Sequence, residues 1–256
     1  MIVYASSSSA TRLRHTLRHR RLLVGLGLLL ALLATVAYFA TGSYVALQMS
    51  QPPRHAQHET PAAYGLAFEE FTLPARDGTR IAAWFIPADS ERTILLLHGR
   101  IYCRSCEFDG RFVEFAARLQ AAGFNVMMID HRAHGQSEGE HFTLGDHERW
   151  DVLGAVDWLQ ARGLERVGVL GASMGGAAAV AAAADPAGGD AIDALVLDSA
   201  PGDLRGMLDQ EFTERSGLPY FFLPGTLFMA RLLLDADLNT LRPVDDVARM
   251  DVPLML

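Results

Sequence analysis

The sequence predicts an α/β domain: a mostly parallel sheet with helices on both faces and an antiparallel hairpin at its start, carried behind an apolar N-terminal helix. Three observations predict it. Short runs such as Thr93 to Leu97 and Asn125 to Ile129 are apolar almost throughout, and they alternate with segments of helical spacing. That pattern belongs to strands buried on both faces. Asp77-Gly78 sits between two strand-like runs as a hairpin turn. Leu22 to Ala40 is a run of 19 residues without a charge.

That run follows a basic start. Residues 1–21 hold Arg12, Arg14, Arg18, Arg20 and Arg21 and no acid, within a chain of 256 residues and net charge −8. A helix of 19 residues reaches about 28 Å, near the ~30 Å of a bilayer's hydrocarbon. An uncleaved anchor over 22–47 fits the length. A cleaved signal peptide, with Ala40-Thr41-Gly42 as its small-residue site, is the competing reading. The arginine excess before the run puts the N-terminus in the cytoplasm and the body on the outer, periplasmic or extracellular side. The body itself is acidic, which argues against a nucleic-acid partner. The chain has no lysine, and this excludes a Ser–Lys dyad, a Walker-type phosphate loop and a pyridoxal Schiff base.

The expected order runs as follows. Residues 48–66 are a polar tether bearing prolines, and 67–256 are the α/β domain. Phe68 to Leu73 and Arg80 to Ile86 form the hairpin. Thr93 to Leu97 is a buried strand ending at His98-Gly99. Arg111 to Ala122 is a helix with Phe112, Phe115, Ala116 and Leu119 on one face, stopped by Gly123. Asn125 to Ile129 is a strand ending at Asp130, and Trp150 to Ala161 a helix. Val167 to Leu170, Met174 to Ala184 and Ala194 to Leu197 read as strand, helix and strand. Right-handed crossovers place the loops after each parallel strand along one sheet edge, where such folds bind ligands. Residues 203–250 form a helical section, either a lid over that edge or helices on the sheet flank, with Leu227 to Leu234 amphipathic.

At the edge lies Gly171-Ala172-Ser173-Met174-Gly175, between a strand and a helix. This is the setting of a nucleophile elbow, in which a tight turn exposes a serine and small residues two positions away let the turn form. Ser173 is the candidate nucleophile, Gly171 and Gly175 the elbow glycines, and the Met174 amide a candidate oxyanion donor.

With these motifs the chain resembles the α/β-hydrolases. The resemblance runs from about Tyr64 to Leu256 through "DGTRIAAWFIPA", "LLLHG", "DHRAHGQSEG", "GASMGG" and "LVLDSAP". It is nearest the membrane-associated serine hydrolases, among them lysophospholipase-like, serine-aminopeptidase-like and ABHD-type proteins. The resemblance implies a second oxyanion amide after the HG pair, from Arg100 or Ile101. It matches the family loop at Asp130, Arg132, Gly135 and Ser137, while Ala133 replaces a glycine. It also implies an acid and then a histidine after the serine. All nine histidines precede Ser173. The end, Val252 to Leu256, resembles the start of the strand that precedes the family's acid. The expectation is therefore a chain short of the family pattern by roughly 70–100 residues. Asp198 is a candidate acid or a loop-capping carboxylate. His98 is expected to support the oxyanion turn, and His131, His134 and His141 to pack in loops.

Cys103 and Cys106 read as a local disulfide or as plain thiols. A zinc site with His131 and His134 is the remote option, and no metal or cofactor is expected. The Arg100 side chain is expected either to meet an anionic group on a substrate or to be solvated. The activity implied is an acyl-enzyme hydrolase of ester or thioester bonds, with amides a third option, acting on a small-molecule or lipid-like acyl substrate. A non-catalytic binding or scaffolding protein is the alternative, and this chain by itself is expected to be nearly inactive.

Overall fold

The computed structural model describes residues 8–256, with side chains from residue 17 onward. Residues 1–7 and the side chains of Arg12, Arg14 and His15 lie outside the described residues. The chain opens with helix α1, Ser8–Met49, which is 42 residues long. It outruns the expected 22–47 at both ends. No proline interrupts it, and Pro52-Pro53 stops it, since a proline disfavours helix in the residue before it. Leu17–Met49 is long and apolar enough to cross a membrane. Side chains from Leu22 to Val36 are exposed, and contact with the body begins near Tyr38.

The body is a seven-stranded sheet with the order β1-β2-β4-β3-β5-β6-β7. Its strands are β1 (Glu69–Pro74), β2 (Arg80–Ile86), β3 (Arg92–Leu97), β4 (Asn125–Ile129), β5 (Arg166–Ala172), β6 (Ala194–Asp198) and β7 (Leu254–Met255). β1 pairs antiparallel with β2, and β2 antiparallel with β4. The pairs β3–β4, β3–β5, β5–β6 and β6–β7 are parallel. The expected hairpin and parallel sheet are both present.

Alternation along each strand sorts side chains to two faces. Leu95, Leu97, Met127 and Ile129 face α3 (Glu148–Gln160) and α4 (Met174–Ala183), meeting Val152, Val156, Leu159, Ala178 and Ala182. Leu96, Val126, Met128 and Trp84 face α2 (Phe112–Ala121), meeting Phe112, Val113 and Ala116. Each fully buried side chain of this size contributes about 1.5–3 kcal/mol. α3 starts two residues before the sequence pattern suggests. The buried Glu148 carboxylate accepts the Thr143 and Gly145 amides and the Thr143 hydroxyl, which ties the helix start to the loop before it.

Residues 203–250 contain α5 (Leu204–Ser216), a 3-10 turn at Tyr220–Phe222, α6 (Leu223–Leu234) and α7 (Pro243–Val247). α6 begins four residues before the amphipathic pattern because Pro224 lies in its first turn, where a missing N–H costs nothing. A third apolar cluster joins these helices to α1 and to the start of α4: Val45, Phe142, Met174, Leu208, Phe212 and Leu227.

The 48–66 tether is tied to the body by hydrogen bonds. Arg54 donates to the carbonyls of Gly135, Ser137 and Gly139. Gln57 donates to Asp130 Oδ2 at 3.1 Å, and the His58 amide to Ser105 Oγ at 2.9 Å. Within the segment, Pro61–Tyr64 form a 3-10 turn, and the Tyr64 hydroxyl donates to Glu59 at 2.6 Å.

Candidate active site

β5 runs into α4 through Ser173, which is exposed and has φ 50° and ψ −116°. A non-glycine residue in this region costs about 1–3 kcal/mol and is held by its surroundings. Here the Ser173 amide donates to Asp198 O at 2.8 Å. The two glycines show why the turn tolerates nothing larger. A methyl on Gly171 would lie 2.5 Å from Gly175 O, and one on Gly175 would lie 2.7 Å from His98 O. The elbow therefore presses against its own start and against the turn after β3.

Met174 is the first residue of α4, so its amide has no acceptor within the helix. The Arg100 amide also has no hydrogen-bond partner among the described residues. Gly99, just before it, is close to the elbow: a methyl there would meet Ser173 Cβ at 3.3 Å. The Arg100 side chain is half-buried. It reaches Glu211 of α5 at 3.5 Å.

Asp198 ends β6 beside the elbow, and it is exposed. Its carboxylate accepts the Ser199 hydroxyl at 2.9 Å. No described hydrogen bond joins it to an imidazole.

The histidines before the elbow are otherwise engaged. His98 Nε2 accepts the His131 amide at 3.0 Å, so its proton sits on Nδ1, facing Gly99 O at 2.8 Å. Burial pushes the His98 pKa well below the ordinary imidazole value, and the neighbouring His134 and His131 push the same way. His134 lies between two carbonyls, Nδ1 at 2.8 Å from Arg132 O and Nε2 at 2.6 Å from Arg100 O. Burial holds its pKa down too. A neutral ring has one N–H and can donate to only one of these at a time. His131 is buried with neither ring nitrogen hydrogen-bonded among the described residues, its Nδ1 3.5 Å from Asp151 Oδ2. His141 Nδ1 lies 2.8 Å from Ser50 Oγ. None of these rings is hydrogen-bonded to Ser173 among the described residues.

The loop after β4 is a polar hub. Buried Asp130 accepts the Arg104 amide and guanidinium, both at 2.7 Å, and the Gln136 amide at 2.9 Å. Arg104 is fully buried, stacks 4.3 Å over Trp84 and also pairs with Glu70. Arg132 pairs with Asp151 and Asp77. Ala133 adopts φ 66°, so the residue that replaces the family glycine keeps the left-handed backbone. Cys103 and Cys106 are joined as a disulfide, with Cα atoms 4.9 Å apart. They do not converge with His131 and His134 on a metal.

One residue escaped the sequence reading. Glu107 is buried, and its Oε2 accepts the Gly99 amide at 2.7 Å. The methyl that would touch Ser173 Cβ would also lie 3.2 Å from this oxygen. Burial raises the Glu107 pKa and the Asp198 charge adds to it, against the lowering effect of the Gly99 and Phe108 amides. An acid eight residues beyond Gly99 carries no signal that the loop will fold back onto it.

Two cavities flank the turn after β3, and Arg100 lines both. A cleft of about 360 Å³ is bordered by Tyr44, Met49, Ile101, Phe142 and Arg215. A smaller cavity of about 50 Å³ is enclosed by Ala46, Met49, Leu208, Phe212, Leu223 and Leu227. Ser173 lines neither.

Residues 88–214 match the family model described as serine aminopeptidase, S33. The uncharacterized protein YfhR of Salmonella typhi is 28% identical over 180 residues, covering 67% of this chain and 58% of the relative. Human monoglyceride lipase is 43% identical over 86 residues, 32% of this chain and 28% of the lipase. Among solved structures, an esterase of Pyrococcus furiosus superposes with a TM-score of 0.64 at 26% identity, covering 80% of this chain and 74% of the esterase. The chain thus spans little more than half the length of the first of these sequence relatives.

Proposed function

Because the chain belongs to the α/β-hydrolase superfamily, we propose that it carries the nucleophile half of a membrane-anchored serine hydrolase acting on ester or thioester bonds. The observation that carries this reading is Ser173, exposed at φ 50° between β5 and α4. Its Oγ attacks the acyl carbon. The Met174 and Arg100 amides hold the negative charge that develops on the carbonyl oxygen. The alcohol or thiol leaves with a proton, and water then hydrolyses the acyl-enzyme. The esterase and lipase named above support an ester substrate.

None of the described histidines is hydrogen-bonded to Ser173, so the reading assigns no general base among them. Asp198, at the strand end beside the elbow, is the candidate acid that would orient such a base. Helix α1 anchors the protein, with Arg18, Arg20 and Arg21 on the cytoplasmic side and the body outside.

The test is labelling of the protein, isolated in its native membrane, with a fluorophosphonate probe. Labelling that disappears in Ser173→Ala supports the reading, and an unlabelled wild type rejects it. The second reading, a binding protein on the same fold, is favoured by the lack of a histidine bonded to Ser173. It predicts no labelling and a saturable ligand.

A further inference from the structure

The anchor helix does more than leave the body: its last turns hold α6. Tyr38 Oη donates to Phe221 O at 2.9 Å and accepts the Gly225 amide at 3.0 Å. Its ring stacks on Phe222 at 5.4 Å, and Phe39 meets Phe228 at 5.6 Å. Gly42 and Gly225 pass so closely that a methyl on Gly42 would lie 2.9 Å from the Gly225 carbonyl carbon. These contacts fix α6 at the level of residues 38–42, where the uncharged run Leu22–Ala40 ends.

α6 has two apolar faces. Leu223, Leu227 and Ala230 are buried and wall the smaller cavity with Ala46 and Met49 of α1. Phe228, Leu232 and Leu233 are exposed, as are Tyr220 and Phe221 just before the helix. The one charge on α6, Arg231, is exposed and lies 3.3 Å from Asp237. A contiguous apolar patch of this kind marks an interaction surface. Here it continues directly from the exposed flank of a candidate membrane span, at the depth where aromatic side chains gather in membrane proteins.

We propose that the 220–234 segment is seated in the outer leaflet of the bilayer that α1 crosses, and that a lipid ester reaches the elbow from that leaflet. The substrate class rests on the serine-hydrolase reading, whereas the seating of the segment does not. Phe228 then lies at the hydrocarbon boundary, and Arg231 reaches the headgroup phosphates.

The experiment places tryptophan in the full chain, one variant at a time, in phosphatidylcholine vesicles whose acyl chains carry bromine at a known depth. The emission that Phe228→Trp adds to that of the three native tryptophans should be quenched strongly, by about twofold, as expected for a side chain sunk at the headgroup–acyl boundary. Leu29→Trp serves as the in-membrane reference and Val244→Trp, on α7, as the aqueous one. Quenching of Phe228→Trp no greater than that of Val244→Trp overturns the proposal. A blue-shifted but unquenched Phe228→Trp also overturns it, because the patch is then covered by protein. A second arm uses Phe228→Glu with Leu232→Glu. Labelling of Ser173 by a water-soluble fluorophosphonate should be unchanged, while turnover of a vesicle-borne ester should fall about tenfold, in line with lost interfacial burial. Equal turnover of that ester in variant and wild type overturns the entry route. Quenching without any labelling upholds the seating and rejects the hydrolase reading instead.

Discussion

The loop after β4 and the helices over the elbow hold the same turn by opposite means. On one side, Asp130, Arg104, Arg132 and Asp151 form buried ion pairs with almost every donor assigned. On the other, Leu208, Phe212, Leu223 and Leu227 meet α1 through apolar contact around a cavity. Buried polar groups accept one geometry, because each unmet donor is costly. Apolar contacts are undirected and tolerate sliding. The polar side therefore holds the Arg100 carbonyl in one place through His134, and the apolar side leaves room for movement around its cavity.

The largest expected effect breaks the polar side. Asp130→Ala leaves the Arg104 guanidinium buried beside Trp84 with only Glu70 as a charge partner. Denaturant unfolding should show a loss of about 3–5 kcal/mol. Leu227→Ala, on the apolar side, should cost about 2–3 kcal/mol, toward the low end for such truncations because the existing cavity can collapse. A loss equal to that of Asp130→Ala would erase the contrast.

Two pH effects sharpen it. His98 and His134 are held neutral in the fold, with pKa values below the ordinary 6.5. The unfolded chain takes up their protons first, so stability should fall as pH drops below about 6.5, by at most ~1.4 kcal/mol per pH unit for each ring. Glu107 has the opposite sign. Its raised pKa means that the fold favours the protonated acid, so its contribution weakens as pH rises from the ordinary carboxyl range through the raised value. In Glu107→Gln that part should vanish, and melting temperature should climb more steeply with pH than in the wild type. An unchanged profile would remove Glu107 from the account of the turn. The smallest effect belongs to Ala133→Gly, which relieves a left-handed alanine. It should stabilise by about 0.5 kcal/mol, the αL penalty less the entropy of the added glycine.

Most of the sheet was legible because its strands are buried on both faces, and a run such as Asn125 to Ile129 has no other place to go. The elbow was legible for a similar reason: a glycine two residues to either side of Ser173 is demanded by backbone contacts of 2.5–2.7 Å. Contacts between distant segments were not. Tyr38 and Gly225 are 187 residues apart, and nothing in either sequence names the other. The docking of the 48–66 tether was hidden too, because the carbonyls that Arg54 meets come together only once the Asp130–Gly139 loop has closed. The neutral burial of His98 was equally hidden, since it depends on the His131 amide arriving at its ring.

Helix α1 is continuous from its exposed flank to the wall of the cavity, with no proline hinge along the way. A rigid rod cannot change its angle at one end alone. A helix whose apolar stretch exceeds the local bilayer thickness leans over to fit, and the Gly42–Gly225 crossing would carry that lean into α6. If α1 spans a bilayer as proposed, the thickness of that membrane becomes a lever on the width of the gap beside Arg100.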